Sequence, residues 1–142
     1  MPEQKEGTPM RQNNIEQKTV SDNFNRWNEA LLSRDPKAVA ELYTEDATFL
    51  PTLSPEFKSG KKETEEYFAH FLQKNPIGTV LEEKIQTLSP KSYLHSGMYN
   101  FEVGPADDRQ IVEARFTYLW TQTEEGKWKI AHHHSSVKPK AH

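Results

Sequence analysis

The chain has 142 residues, no cysteine, 18 Lys and Arg against 21 Asp and Glu, and a formal net charge of −3 with its histidines neutral. This length fits one domain with one hydrophobic core, and the lack of cysteine excludes disulfides, thiolate nucleophiles and cysteine-ligated metal or iron–sulfur clusters. The acidic balance disfavours nucleic acid, and no apolar run reaches the roughly 20 residues of a membrane span. We therefore expect a soluble cytoplasmic protein whose partners include neither nucleic acid nor a membrane.

The N-terminal segment differs in composition from the rest of the chain. Residues 1–13 carry mixed charges and almost no apolar side chains, so they lack the apolar surface that would offset the entropy of ordering them. The sequence predicts a flexible arm over these residues, one domain over residues 14–138 and a short tail over residues 139–142.

The first half of the domain is predicted to be mostly helical. Apolar residues spaced by four, three and four positions predict a helix that ends near Ser33. Asp35 and Pro36 predict a second, short helix, because Asp accepts backbone N–H bonds as an N-cap and Pro is tolerated at the first helical position. A third helix is predicted from just after Gly60 until shortly before Pro76. The inward-facing residues of these helices are Val20, Phe24, Trp27, Leu31, Val39, Leu42, Tyr43, Tyr67, Phe68, Phe71 and Leu72.

The remaining segments favour β-structure. Residues 46–51 predict a brief strand ended by proline, and residues 52–60 predict a loop. Runs rich in β-branched and aromatic residues then predict four long strands in an antiparallel meander, at residues 79–88, 92–103, 110–123 and 127–137. Three helices followed by such strands indicate an α+β domain, in which the helices cover one face of a curved sheet and enclose a cavity.

Five segments, in this order, resemble the nuclear transport factor 2-like superfamily, and they are Trp27–Leu31, Asp35–Tyr43, Asp46–Pro51, Gly126–Ile130 and His132–Ser136. Within it, the chain is most similar to small bacterial proteins related to the association domain of calcium/calmodulin-dependent protein kinase II, grouped with SnoaL-like and SgcJ/EcaC-type proteins. The resemblance implies a cone in which three N-terminal helices pack on a curved antiparallel sheet.

The resemblance gives no catalytic residues, although this superfold hosts both enzymes and assembly modules. Ketosteroid isomerase, a relative, uses an aspartate base with a tyrosine and a protonated aspartic acid as oxyanion donors. The matching positions here hold Trp27 in place of the tyrosine, Pro51 in place of the base, and either Phe116 or Thr117 in place of the second acid. The ketosteroid isomerase mechanism is therefore not expected.

The expected function is a non-catalytic oligomerisation or small-ligand-binding domain that resembles the kinase association domain. That domain is understood to line its cavity with arginines, but Ser135 and approximately Tyr118 occupy two of the matching positions here. The alternative is a cofactor-free SnoaL-like enzyme, a cyclase, isomerase or hydrolase, acting on a small organic molecule in the cone cavity. Neither interpretation calls for a cofactor, because no nucleotide or phosphate-binding motif occurs.

Arg115 has two possible positions in the predicted sheet. Successive strand residues face opposite sides, so Arg115 lies outside the cavity if Phe116 and Tyr118 line it. A bulge that shifts the register would instead make Arg115 the fixed cation of the cavity and an anchor for a carboxylate. Glu113, two residues earlier, is a possible partner on the same face.

The histidine run is the second chemical candidate. His132 and His134 share one strand face, a spacing that suits zinc if a third ligand converges, but the sequence identifies none. His133 points to the opposite face, and beside Ser135 it is a candidate general base near neutral pH. The candidate cavity residues are Trp27, Tyr43, Arg115, Tyr118, His133 and Ser135.

Self-association is the expected partnership. We predict a homodimer, with a larger ring possible, because the sheet face away from the helices would otherwise leave apolar side chains in water. His70 and His95 are expected to be partly exposed. The residues that we assign to the outward face are Tyr93, Tyr99, Phe101 and Val103.

Overall fold

The computed structural model describes residues 14–140, which form three helices, a 3-10 turn and one six-stranded sheet. The helices are α1 (Gln17–Leu32), α2 (Pro36–Ala40) and α3 (Gly60–Phe71), which continues into the 3-10 turn Leu72–Lys74, and the strands are β1 (Tyr43–Leu50), β2 (Lys58–Ser59), β3 (Ile77–Ser89), β4 (Ser92–Val103), β5 (Gln110–Gln122) and β6 (Trp128–Val137). The predicted arm at residues 1–13 and the last two residues of the predicted tail lie outside the described residues. None of the helices within residues 14–140 combines the length and apolar character that crossing a membrane requires.

The sheet has the strand order β2-β1-β6-β5-β4-β3. The meander from β3 to β6 is antiparallel, as predicted, but β1 runs parallel to β6. The sheet is therefore mixed, not antiparallel throughout. Parallel neighbours need a long connection, and here α3 and most of the meander provide it. Tyr43 also lies in β1, paired with Ile130, and not in the second helix as predicted.

The helices pack on the inner face of the sheet through the predicted apolar stripe. Val20, Phe24, Trp27 and Leu31 of α1 are all buried, which confirms the helical spacing. The carboxylate of Asp35 accepts a hydrogen bond from the backbone N–H of Lys37 at 3.0 Å, so the predicted cap begins α2. Side-chain burial against the sheet, and not helix propensity alone, stabilises helices of this length.

The two faces of the meander are set by strand alternation. Odd-numbered residues of β4 and even-numbered residues of β5 face the helices, so the outward assignment of four β4 residues in the sequence analysis was wrong. The outer face instead carries the even-numbered residues of β4, such as Leu94 and Met98, together with Leu119 of β5. The four misassigned residues are all buried under the helices: Tyr93, Tyr99, Phe101 and Val103.

A bulge in the edge strand β3 depends on a glycine in its neighbour. The register shifts between Val80, which pairs with Tyr99, and Glu82, which pairs with Met98, and Gly97 is the next residue along β4. A Cβ atom on Gly97 would lie 1.9 Å from the carbonyl oxygen of Glu82, so only glycine permits this close approach. The extra residue turns Glu83 toward the helices, where its carboxylate meets His95.

Candidate functional site

The interior of the cone is centred on His133, on the inner face of β6. Its imidazole is 1 % exposed and stacks between the rings of Tyr118, at a centroid distance of 4.1 Å, and Phe49, at 4.8 Å. The indole of Trp27 meets it edge-on at 5.6 Å. The sequence places His133 here because strand alternation and the bulge that precedes it leave one histidine of the run facing inward.

Both ring nitrogens of His133 have hydrogen-bond partners. The Tyr43 hydroxyl lies 2.9 Å from Nδ1, and the Tyr99 hydroxyl lies 3.2 Å from Nε2. The Trp27 indole N–H donates to the Tyr43 oxygen at 3.2 Å, which leaves the Tyr43 O–H to donate to Nδ1. This network assigns the proton of a neutral His133 to Nε2, from which it is donated to Tyr99.

The network continues from Tyr99 to the loop that follows β1. The Tyr99 hydroxyl donates to Ser135 Oγ at 2.5 Å, and the Ser135 hydroxyl is hydrogen-bonded to that of Thr52. The Tyr67 hydroxyl donates to the backbone carbonyl of Thr52 at 2.9 Å. A chain of neutral hydrogen-bonding groups therefore runs from the Trp27 indole through the cone to one loop residue.

Burial keeps the groups of this network neutral. It lowers the pKa of His133 well below the ordinary histidine value, and charge on His132 and His134 would lower it further. Burial likewise raises the pKa of Tyr43 and Tyr99 above the ordinary tyrosine value. The network can therefore orient and donate hydrogen bonds at neutral pH, but it offers a ligand no charge.

The protein's own aromatic rings fill most of the interior. The residual void is about 10 Å³, which is close to the space that one water molecule needs. A drug-sized ligand needs a pocket of roughly 300 Å³ or more. The void is lined by Trp27, Phe49, Thr52, Tyr67, Phe68, Phe71, Tyr99, Phe101, His133 and Ser135.

The structure brings five of the six candidate cavity residues into the cone and leaves Arg115 outside. Arg115 is exposed on the outer face of β5, opposite Met98 in β4 and Ser136 in β6. The register shift between β5 and β6 falls at Leu119 and Trp120, too far along the strand to turn Arg115 inward. The five residues in the interior are Trp27, Tyr43, Tyr118, His133 and Ser135.

His132 and His134 share the outer face, as the alternation requires. The Thr48 hydroxyl lies 2.7 Å from His132 Nδ1, so this nitrogen is already hydrogen-bonded. Within residues 14–140, no group of three His, Asp or Glu side chains converges in a way that could hold a metal ion. The part of the chain that is described thus offers no third ligand to this pair.

Sequence reasoning missed a second buried histidine. His95, which was expected to be partly exposed, is 1 % exposed, and its Nε2 lies 2.7 Å from Glu83 Oε1. Burial lowers the pKa of His95, while the Glu83 carboxylate opposes that shift. Strand alternation in β4 would have predicted its burial, because His95 is odd-numbered like the buried Tyr93 and Tyr99 and so lies on the same face. Thr52 was also missed, because no local pattern separates a buried loop residue from its exposed neighbours.

The architecture, in which helices close a curved sheet over an aromatic interior, is the nuclear transport factor 2-like fold. A nuclear transport factor 2-like superfamily protein from Salmonella enterica has 16% sequence identity and a TM-score of 0.73, with 88% of this chain and 92% of that chain covered. A ketosteroid isomerase-like protein from Erwinia carotovora atroseptica has 14% identity and a TM-score of 0.67, with 85% and 95% covered. At such identities these structures support the fold alone.

The family is narrower than the fold. The family model of the calcium/calmodulin dependent protein kinase II association domain matches residues 16–139, and the chain belongs to this family. A protein from Xanthomonas campestris, named provisionally as such an association domain, has 34% identity and a TM-score of 0.85, with 90% of this chain and 91% of that chain covered. Among curated proteins, none matches the chain significantly.

Proposed function

We propose that the protein is a non-catalytic module that associates with itself, as a homodimer held through the outer face of its sheet. The observation that carries the proposal is Arg115, which has no ion-pair partner among the described residues and lies in the middle of a half-apolar sheet face. The name of the matched family, an association domain, supports self-association as well.

Apolar side chains form a patch across β4 and β5. Leu94 lies opposite Leu119 in the register, and Met98 lies opposite Arg115. Ile111, on the same face of β5, is 56% exposed. A sheet with one face in water normally carries polar side chains there, so a row of apolar residues favours a covering partner.

The charges on this face suit a second copy of the same surface. Among the described residues, no carboxylate lies within ion-pair distance of Arg115, and no cation lies within that distance of Glu82 on β3. In a two-fold dimer each residue contacts its counterpart's neighbours reciprocally, so one surface carrying both signs can pair with itself. This complementarity favours a homodimer over an acidic or basic partner.

The interior gives little support to the alternative, a cofactor-free enzyme. A general base needs a free lone pair within reach of a substrate proton. Nδ1 of His133 accepts a hydrogen bond from Tyr43, and Nε2 carries the proton donated to Tyr99. His133 therefore acts as a core histidine whose hydrogen bonds are satisfied, and we do not assign it catalysis.

Analytical ultracentrifugation of the full chain tests the proposal. We expect a dimer at micromolar concentration and a monomer for Leu119→Lys, which places a charge in the centre of the apolar patch. Arg115→Ala should weaken dimerisation about tenfold, since buried charged contacts commonly contribute this much. Phe57→Lys is the matched control, because Phe57 is equally apolar and 57% exposed but lies on a loop.

Each outcome tests either self-association or the face that is proposed to mediate it. A wild-type monomer at these concentrations would refute self-association, and a dimer that Leu119→Lys leaves intact would refute the proposed face. A species larger than a dimer that depends on Leu119 would keep the face and add a second contact, as in a ring. Circular dichroism of each variant checks that the cone remains folded.

A further inference from the structure

The loop between β1 and β2 closes the cone at the end of the interior where the hydroxyls of Ser135 and Tyr99 lie. Thr52 is only 4% exposed, whereas the next residue, Leu53, is 55% exposed. Loops normally run over the surface, because buried loop backbone leaves polar groups that are hard to satisfy. This loop inserts one polar residue into an aromatic interior, so the position of Thr52 needs an explanation beyond chain connection.

Thr52 is the attachment point of the loop. Its hydroxyl bonds to that of Ser135, and its carbonyl accepts the Tyr67 hydroxyl. Among the described residues, the other side-chain hydrogen bonds of residues 52–57 are local, from Glu56 N–H to Ser54 and from Lys58 to Glu56. Breaking the two bonds of Thr52 would therefore release the whole segment.

The backbone next to Thr52 is strained. Leu53 has a φ of 68°, in the left-handed region that a bulky side chain rarely adopts. Its side chain points to water and gains little burial in return. The closed loop is thus held by two hydrogen bonds against an unfavourable backbone conformation, which is the arrangement of a segment that can open.

Empty space lies on both sides of the loop. The interior void of about 10 Å³ and an external groove of about 440 Å³ share two walls, Tyr67 and Phe71. Leu53, Ser54 and Pro55 line the groove, while Thr52 lines the void. Moving the loop would join the two spaces into one pocket within the range that suits a small organic ligand.

The chemistry of the joined pocket limits its ligand. The interior polar groups are the hydroxyls of Ser135, Tyr99 and Tyr67 and the imidazole of His133, and among the described residues no charged side chain lines the void. The groove, by contrast, is lined by the charged side chains of Glu56, Lys58, Glu66 and Lys74. A charged group that entered the void would lose its hydration without gaining a counter-ion, so the buried end of the ligand is uncharged. Flat aromatic walls favour a flat molecule.

We propose that Thr52 is an internal plug, and that the 52–57 loop opens to admit a small, flat aromatic molecule whose buried end is uncharged and bears a hydroxyl or carbonyl oxygen. That oxygen replaces the Thr52 hydroxyl on Ser135, and the ring lies against Phe71 and Tyr67. This binding site is separate from the outer face, so it does not depend on the proposed self-association.

Titration with 2-naphthol, a fluorescent molecule of this class, tests the proposal. Thr52→Ala removes the hydroxyl whose hydrogen bond to Ser135 stabilises the closed loop. The open loop is then more populated, so this variant should bind 2-naphthol about tenfold more tightly than wild type. Thr52→Ser, the matched control, keeps the hydroxyl and should bind within about twofold of wild type. The charged analogue 2-naphthoate should bind at least about tenfold more weakly than 2-naphthol to every variant.

Equal affinity of the Ala and Ser variants for 2-naphthol would overturn the plug, and equal binding of 2-naphthoate would overturn the assigned ligand class. Leu94→Gln, on the outer face, should leave the affinity unchanged, and a loss there would place the site on that face instead. If Thr52→Ala fails to fold, hydrogen exchange on the wild type decides: saturating 2-naphthol must speed exchange in residues 52–57, and unchanged exchange refutes opening.

Discussion

Acidification should destabilise the fold through His133, because this histidine is neutral and buried in the native state. Burial holds its pKa well below the ordinary value in the folded protein, whereas the unfolded chain has a pKa near 6.5. Between these two values the unfolded state binds one more proton than the native state, so stability falls as the pH falls. The stabilising contribution is fully present above the unfolded pKa and is lost progressively below it.

The expected magnitude follows from this linkage. Going from about pH 7 to about pH 5, protonation of one unfolded histidine with a pKa near 6.5 favours unfolding by about 2 kcal/mol, if the native histidine stays neutral. Burial also lowers the pKa of His95 and His132, so the wild-type loss should exceed this single-site value. The effect of His133 must therefore be isolated by substitution.

Urea unfolding at fixed protein concentration, at both pH values, provides the measurement. His133→Gln should lose about 2 kcal/mol less than wild type on acidification, because glutamine does not titrate. His70→Gln, at an exposed position, is the matched control and should follow the wild type. Equal pH dependence of the wild type and His133→Gln would refute a buried neutral His133.

Two further pairs of substitutions, each a test and its control, examine the packing that frames the site. Gly97→Ala should lower the free energy of unfolding, measured by heat or urea, by roughly 2 kcal/mol or more, because its Cβ would meet the Glu82 carbonyl. Gly126→Ala, with open space around it and a φ of 87°, should lower it by only about 1 kcal/mol. A similar cost at both glycines would contradict the close approach. Tyr43→Phe should cost about 2 kcal/mol, because two buried partners lose their hydrogen bond, and Tyr67→Phe, which frees one carbonyl, about half of that. A neutral Tyr43→Phe would show that the network does not stabilise the fold.

Local patterns were enough to predict most of the fold. The stripe from Val20 to Leu31 has a helical period, Asp35 is a good cap, and the strand runs alternate with short turns, so each element follows from nearby residues. The parallel pairing of β1 with β6 could not be predicted in this way. It depends on where the chain returns after about 80 residues, which no local period encodes.

For the site, strand alternation predicts only which neighbouring residues face opposite sides of the sheet. The opposite orientations of His133 and His132 follow from adjacent strand positions. The absolute phase of β4 does not, because hydrophobic residues occur at both parities in Tyr93, Leu94 and Met98, and the wrong phase put Tyr99 outside the cone. The pairing of His95 with Glu83 needs a bulge that only a contact between strands specifies.

The two faces of the sheet carry different kinds of polar group. The inner face carries a neutral hydrogen-bond network in which a protonated His133 would be unpaired, so acid acts on the fold. The outer face carries Arg115 and Glu82 in water, so we expect salt to weaken the proposed association, since exposed charges are screened within roughly 8 to 10 Å in ordinary buffers. Strand alternation alone keeps these groups apart, because neighbouring residues such as Arg115 and Phe116 cannot face the same side. The proposed association and the proposed ligand site use opposite faces of the sheet, so we expect each to change without disturbing the other.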